Sequence, residues 1–533
     1  MALTSSRLCP AIPSSSLRSH CPVSSIVSTH LENLKCANPN CRERSRQCYD
    51  LACMRNFAAR LSGLALEYLS EHKRWQLGIL LTVALLVRAV VPIAALILHH
   101  DSSVFGSGDT ESYLLPAQNL LSAGRFYTHG YPDIHRTPGY PLFLLPGLVV
   151  GHLTATTICL QIILSTLTVF LIYRIGLRLA GPAAAFCCAV LYAFEPLSII
   201  FASLLITETV FAFFLVLFIY EALPCIEKPT LGRVVAASLA ITLAAYVRPI
   251  ASYVPFVVAA VLVTAALVAH REKWKLPYVA LFLAIHLVLL GAWSLRNYRQ
   301  AGYAGFSSIG DDNMFFYQGA AIISQKTGHS FAAVQSELGL DSDEQYVTRH
   351  PEQAQWTKGQ KMAFMGRMGR RLVLENKRIY LGIHLRGMEM LMFDPGVINW
   401  AKLFKRYPTL GGLRHRIFDK GILAGIGEFR TQYPFTFYSM LLLGALLVTH
   451  YVLACMGFAV AWKQAKVAAA MMAALFTYFV VLGAGPTADA RFRHPVMPIV
   501  CLFAGWAIPT ILLSAREWPK RTRQLVRSTV QGH

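Results

Sequence analysis

Apolar residues run nearly unbroken, about twenty positions at a time, over 77–98, 157–173, 183–201, 205–223, 234–249, 250–269, 277–295, 435–461, 467–484 and 493–514. A helix of such length crosses roughly 30 Å of hydrocarbon. The pattern therefore predicts an all-α polytopic membrane protein of about ten transmembrane helices. Two long polar segments interrupt the runs, 99–156 and 296–434. Within the second, GRMGRRLVLENKRIYLGIHLRGMEMLM carries apolar residues at helical spacing between charges, which predicts amphipathic helices lying on the membrane or packed on the bundle. The chain thus divides into an N-terminal segment 1–76, a membrane module 77–295, a loop region 296–434, C-terminal spans 435–514 and a basic tail 515–533.

Lysine and arginine set the orientation. If the spans alternate, Lys73 and Arg74, Arg174 and Arg178, Lys228 and Arg233, residues 271–275, Lys463 and Lys466, and the tail 516–527 all fall on one side. Cytoplasmic loops concentrate such residues, so that side is the cytoplasm and both termini lie there. The expected location is a multi-pass integral protein of a bacterial inner (plasma) membrane. The polar segments 99–156 and 296–434 then face outwards.

Composition supports this reading: 55% hydrophobic and 14% charged residues in 533 are too apolar for a soluble chain of this length. The net charge of +21 comes from residues scattered between apolar runs, which points to lipid phosphates and not to nucleic acid. Of twelve cysteines, six precede the first span (Cys9, Cys21, Cys36, Cys41, Cys48, Cys53) and six lie in or beside apolar segments, so no disulfide framework is expected. Residues 1–53 have no hydrophobic period and read as disordered, with free thiols more natural there than zinc ligands. From Met54 an amphipathic helix leads towards the membrane, which makes Met54 a candidate translation start. Arg88, in the middle of the first span, costs about 2.5–3.5 kcal/mol on insertion scales unless it faces the bundle or snorkels; Glu195 and Glu208 are candidate partners.

Five arginines break the positive-inside rule. Arg136 precedes Pro138–Gly139–Tyr140–Pro141, Arg248 precedes Pro249, Arg296 closes WSLRN, and Arg491 and Arg493 open the last span. All are expected at the outer membrane face. There they would hold an anion at headgroup depth, a lipid phosphate, since a guanidinium is always charged and grips phosphate with a fixed fork. Snorkelling or local acid pairing is the alternative for each. A reaction would also need a base. Asp109 with Glu111, at the exit of the first span, places carboxylates in the same outer loop, although solvated or capping acids are common in such turns. His129, Asp133 and His135 lie in that loop as further base or substrate contacts, and Glu208 at an outer span end could orient a hydroxyl or pair with Arg88. No P-loop, G-x-S-x-G or HExxH string is present.

The ordered set GDTESYLLPAQNLLSAGRFY, RTPGYPLFL, PLSIIFASLLITETVF, YVRP, AWSLRNY and ARFRHPVMP, from about residue 77 to 514, resembles the GT-C membrane glycosyltransferases. The resemblance is to the family 39 type, related to protein O-mannosyltransferases and the lipid A aminoarabinose transferase. It implies a GT-C bundle and inverting transfer of a hexose or pentose from a polyprenyl-phosphate donor to an acceptor at the outer face, with the acceptor a glycan, lipid or protein. Asp109 matches the family's first-loop carboxylate, implied as base, and Arg136 its donor-phosphate contact. Tyr113 and Tyr140, within the matching strings, join Glu111, His129, Asp133, His135 and Glu208 as possible substrate contacts. The chain departs in having Thr110 between its acids and Arg-Thr-Pro-Gly-Tyr-Pro where several relatives have Lys-Pro-Pro. No cofactor is obligatory in this scheme, because a lipid monophosphate can leave under arginine stabilisation alone; a divalent cation beside the acidic pair stays open. A transporter or flippase of a lipid-linked sugar would use the same arginines, with repeated halves and broken helices, and no such repeat is visible.

Overall fold

The computed structural model describes residues 73–268, 273–340, 342–408, 413, 416 and 421–531. The expectations for residues 1–53 and for the amphipathic stretch from Met54 lie outside the described residues. Two units are distinguished, 1–62 with 515–533, and 63–514.

Among the described residues, eight helices are long and apolar enough to cross a membrane: Trp75–His99, Leu153–Ala193, Glu208–Glu227, Pro249–Val268, Leu276–Ala301, Pro434–Gln464, Lys466–Gly483 and Ala490–Ser514. Two shorter apolar helices are Gly139–Val150 and Leu231–Val247. The chain is an all-α multi-pass membrane protein. The first span shows how its sides are sorted. Leu80, Ala84, Arg88, Val91 and Ala95, three or four apart, are buried, whereas Ile79, Leu86, Val90 and Ile97 are exposed. A helix apolar all round, with its small and polar residues turned inward, suits a lipid exterior.

The two runs 157–173 and 183–201 form one 41-residue element with a break at Gly181, whose φ of 81° ends the first arm before Pro182. A Cβ on Gly176 would lie 2.8 Å from the Cα of Ala185, so the chain doubles back on itself here as a helical hairpin. A straight helix would hold residues nine apart about 13 Å from each other. The run 183–201 does not continue as one span: it stops at Ala193, and a six-residue helix Pro196–Phe201 follows.

That break explains Arg88. The guanidinium donates to Ser165 Oγ (2.7 Å), Ala84 O (3.1 Å), Ala193 O (2.9 Å), Tyr192 O (3.3 Å) and Ser198 Oγ (3.0 Å), which engages all five of its N–H groups. The expected pairing with Glu195 or Glu208 is corrected: Arg88 closes the C-terminal carbonyls of the hairpin, as cations do at helix C-termini. Glu195 caps the next helix through the N–H groups of Leu197 and Ser198.

In the segment 296–434, helices Lys358–Glu375 and Lys377–Phe393 meet at Asn376 and cover the amphipathic stretch expected there. The first begins with a capping box in which Thr357 and Gln360 exchange side-chain and backbone hydrogen bonds. A two-residue antiparallel ribbon, Tyr127–Thr128 with Tyr131–Pro132, folds the tip of the first loop.

Candidate active site

Four distant stretches of chain converge on one row of charges. Arg136 Nη2 lies 2.8 Å from Asp109 Oδ1, and Arg491 Nη1 lies 2.6 Å from Asp109 Oδ2. Arg491 Nε continues to Glu208 Oε1, on which Arg248 Nη1 also closes at 2.7 Å. Glu208 is fully buried and the Asp109 side chain is 34% exposed, so the row runs from the bundle interior to the solvent edge. Three guanidiniums face two carboxylates, which leaves one positive charge unmatched.

Each member is aimed by its local sequence. Asp109 opens the helix Thr110–Ala123 but makes no capping bond, so its carboxylate is left for the arginines. The departure noted at Thr110 has a structural role: its Oγ1 donates to Leu205 O (2.9 Å) and accepts from Ser107 N (2.8 Å), while Leu205 N donates to Phe105 O (2.8 Å). These bonds hold the Asp109 loop against the strand of chain entering Glu208. Arg248 ends the helix Leu231–Val247 in an extended conformation (φ −139°, ψ 116°), as a residue before proline must. Asp133 receives Thr128 Oγ1 (2.6 Å), His135 N (2.8 Å) and Arg136 N (2.9 Å), making the turn from which Arg136 departs. Arg136 is then fixed by Ser112 Oγ (3.0 Å) and Tyr113 OH (2.9 Å).

Gly139 brings that turn to Arg248. A Cβ there would sit 2.6 Å from the carbonyl of Tyr246, two residues before Arg248. Gly139→Ala is expected to force the first loop off this helix, at about 1–3 kcal/mol for overpacking, and to lower the melting temperature and the activity together. A melting temperature like that of the wild type would show that the loop yields without strain.

The structure divides the other sequence-nominated residues. Arg296 touches no member of the row: it donates to Asp133 O (2.6 Å), Phe126 O (2.7 Å) and Asn297 Oδ1 (3.0 Å), with Trp293 and Phe126 under its guanidinium. Arg493 leaves its short helix on the opposite side from Arg491, two residues being about 200° of turn, and donates to Leu391 O (2.8 Å) and Met392 O (3.2 Å). These two arginines, expected at the donor phosphate, are engaged as clamps on the backbone. Tyr113 belongs to the site, whereas the hydroxyl of buried Tyr140 donates to Gln161 Oε1 (3.0 Å) and its ring packs edge-on against Tyr113. Glu111 and His129 are exposed, His129 at a positive φ of 50° in the ribbon turn.

The electrostatics differ sharply between neighbours. Asp109 would be raised by partial burial, but Arg491 and Arg136 prevail and hold it down at about 2. Burial, then the charge of Arg136, lowers His135 to about 4, so it is neutral at neutral pH. Asp312, which sequence reasoning passed over, is pushed up to about 6 by burial, against the pull of Arg136 and Lys358. Nothing in its string IGDDNMFF distinguishes Asp312 from Asp311 beside it, which is paired with Arg370 at 2.8 Å. Among the described residues, no group of three or more His, Cys, Asp or Glu side chains is arranged to hold a metal ion. An apolar cavity of about 60 Å³, lined by Phe218, Cys225, Val258, Phe282 and others, is not part of this site. Cys225 is seventeen residues along its helix from Glu208, about 25 Å.

Residues 136–293 match the family described as dolichyl-phosphate-mannose-protein mannosyltransferase. No curated protein sequence matches the chain. Among solved structures, the chain is similar to the archaeal oligosaccharyltransferase AglB from Archaeoglobus fulgidus in complex with an inhibitory peptide and a dolichol-phosphate. Identity is 13%, over 85% of this chain and 52% of that one, with a TM-score of 0.47. The chain thus spans about half the length of the archaeal protein. It is also similar to ArnT from Cupriavidus metallidurans bound to undecaprenyl phosphate, at 13% identity over 82% of this chain and 78% of that one, with a TM-score of 0.34.

Proposed function

We propose that the protein transfers a sugar, a hexose or pentose, from a polyprenyl-phosphate carrier to an acceptor hydroxyl, with inversion, at the outer face of a bacterial inner membrane. The row Arg136–Asp109–Arg491–Glu208–Arg248 carries this reading. Its unmatched positive charge suits the single negative charge of a sugar phosphodiester. Guanidiniums already oriented by carboxylates need little reorganisation when charge gathers on the departing phosphate. The family match over 136–293 supports the reading, since it begins at Arg136 and takes in Glu208 and Arg248.

In this scheme the donor phosphate takes over hydrogen bonds from Asp109 and Glu208. The acceptor oxygen attacks the anomeric carbon from the face opposite the phosphate, and the C–O bond to phosphate breaks with its electron pair on the lipid phosphate. Arg296 and Arg493 keep the first loop and the helix Lys377–Phe393 in place around the row. Asp109, assigned by sequence to deprotonation, is available for it only once the guanidiniums release it.

Membranes containing the wild type or Asp109→Asn, incubated with a panel of radiolabelled polyprenyl-phosphate hexoses and pentoses, test the reading. Wild-type membranes are expected to move the label to a new acceptor, and Asp109→Asn to lower turnover by about 100-fold, the scale of an oriented electrostatic group. No transfer from any donor, with label carried across vesicles instead, would favour a flippase. Turnover by Asp109→Asn equal to wild type would remove Asp109 from the reaction.

A further inference from the structure

Among the described residues, Arg491 alone is paired with both carboxylates of the row, Asp109 and Glu208. Its fork can span the two only while its backbone stays in place. That backbone belongs to the four-residue helix Ala490–Arg493. So short a helix is mostly end: its N–H groups and its last carbonyls look outside it for partners, and it does not hold its own position.

Both ends are tied to one distant stretch, residues 391–394. At the start, Arg491 N donates to Asp489 Oδ1 (2.8 Å), which caps the helix from within its own chain segment, and Ala490 N donates to Asp394 Oδ2 (3.1 Å). Carboxylates suit these two N–H groups, which carry the positive end of the helix dipole. At the other end, Arg493 Nη1 donates to Leu391 O (2.8 Å) and Met392 O (3.2 Å). Arg491 lies between these two attachments.

Asp394 is itself held firmly. It closes the helix Lys377–Phe393 in an extended conformation (φ −66°, ψ 118°), as the residue before Pro395 must. Its Oδ1 accepts from Gly396 N (2.9 Å), an Asx turn that aims Oδ2 at Ala490. Gly396 has a φ of 74°, and a Cβ on it would lie 2.8 Å from Leu197 Cδ2 and 3.1 Å from Ala490 Cβ. The turn is thus wedged between the Pro196–Phe201 helix and the start of the Arg491 helix. Tyr451 OH donates to Met392 O (2.7 Å) and fixes the same stretch to the span Pro434–Gln464. Gly387, Leu391 and Asp394, four and three apart, share one side: a Cβ on Gly387 would run into the backbone of Gly485, and Leu391 is buried with Ala488. Residues 485–493 therefore lie along this helix up to Arg491.

We infer that Asp394 is a positioning residue, which touches no substrate and acts on the phosphate site by fixing the backbone from which Arg491 reaches Asp109 and Glu208; this rests on the transferase reading. The helix Lys377–Phe393 is then the external strap that sets the middle arginine of the row. Both Asp394 and Arg491 lie outside the stretch 136–293 that matches the family.

A double-mutant cycle tests this. Transfer is measured with the same panel of polyprenyl-phosphate sugars, and affinity for polyprenyl phosphate is measured on the detergent-solubilised protein. Asp394→Ala is expected to lower donor kcat/KM about 100-fold, the scale of a misplacement of about 1 Å, and to weaken polyprenyl-phosphate binding. Asp394→Asn, whose single oxygen can serve Gly396 N or Ala490 N but not both, should fall between Asp394→Ala and wild type. In the Arg491→Ala background, adding Asp394→Ala is expected to change either quantity by no more than about twofold, because the group through which it acts is already gone. An equal fold-loss in both backgrounds would overturn the inference, since a general support of the fold, or a variant that failed to fold, gives that result. Unchanged kcat/KM and affinity in Asp394→Ala would overturn it too. A wild type that binds polyprenyl phosphate and transfers nothing would overturn the transferase reading alone, with the affinities still deciding the role of Asp394. A wild type that binds none would overturn both.

Discussion

Glu208→Gln is expected to destabilise the protein more than any other single change in the row. The Glu208 side chain is fully buried and lies against two arginines whose own side chains are only 14% and 21% exposed. Water therefore screens these pairs little. Removing the carboxylate's charge leaves Arg248 without an ionic partner and Arg491 with Asp109 alone. Breaking a buried pair in this way costs about 3–5 kcal/mol, because a charge remains buried and uncompensated. The measurement is the unfolding midpoint of the detergent-solubilised protein, which should fall clearly in Glu208→Gln and less in Glu208→Asp, where the charge stays but the reach shortens. An unchanged midpoint in Glu208→Gln would mean that water reaches Arg248 and Arg491 freely.

Arg136→Ala is expected to act chiefly on donor use. Its guanidinium holds Asp109, Ser112 and Tyr113 at 2.8–3.0 Å, so it is already oriented when a phosphate arrives. Loss of one such pre-oriented donor to a developing oxyanion costs about 10²–10³ in rate. A fall of this size in donor kcat/KM is the expected result. Arg136→Lys should recover only part of it, because an ammonium keeps the charge and loses the fork that spans three partners. The variant also removes one of the two charges that hold the Asp109 carboxylate low, so its pKa should rise towards the ordinary carboxylate range. Unchanged donor kcat/KM in Arg136→Ala would separate Arg136 from the phosphate.

The local chemistry of the row was partly legible in the sequence. Arg136, Arg248 and Arg491 stand out as arginines at span ends that the expected orientation does not explain, and Asp109 stands out as a carboxylate of the first loop and through the family resemblance. Arg296 and Arg493 satisfy the same rule yet close on backbone carbonyls, because a guanidinium fits an unpaired carbonyl at a chain turn as readily as an anion. Which of the two it meets depends on what packs opposite it. The sequence leaves Glu208, at an outer span end, either to orient a hydroxyl or to pair with Arg88, a cation in the middle of the first span. The helix break after Ala193 gave Arg88 three of its five acceptors, Tyr192 O, Ala193 O and Ser198 Oγ, and Glu208 went to Arg248 and Arg491 instead.

By itself the sequence determined the helical, membrane-spanning character of the chain, because the length of an apolar run is a property of neighbouring residues and the bilayer sets the length required. It also determined which ends of the spans carry the unusual cations. The tertiary structure alone decided the pairings: Thr110 with Leu205, ninety-five residues away, and Arg491 with Asp109, across 382. It alone separated Asp312 from Asp311, since adjacent carboxylates on a short helix differ only in what the fold brings up to each. Ion-pair strength and base strength at such a site depend on burial and on the second charge within a few ångströms, and neither is a property of nearby sequence.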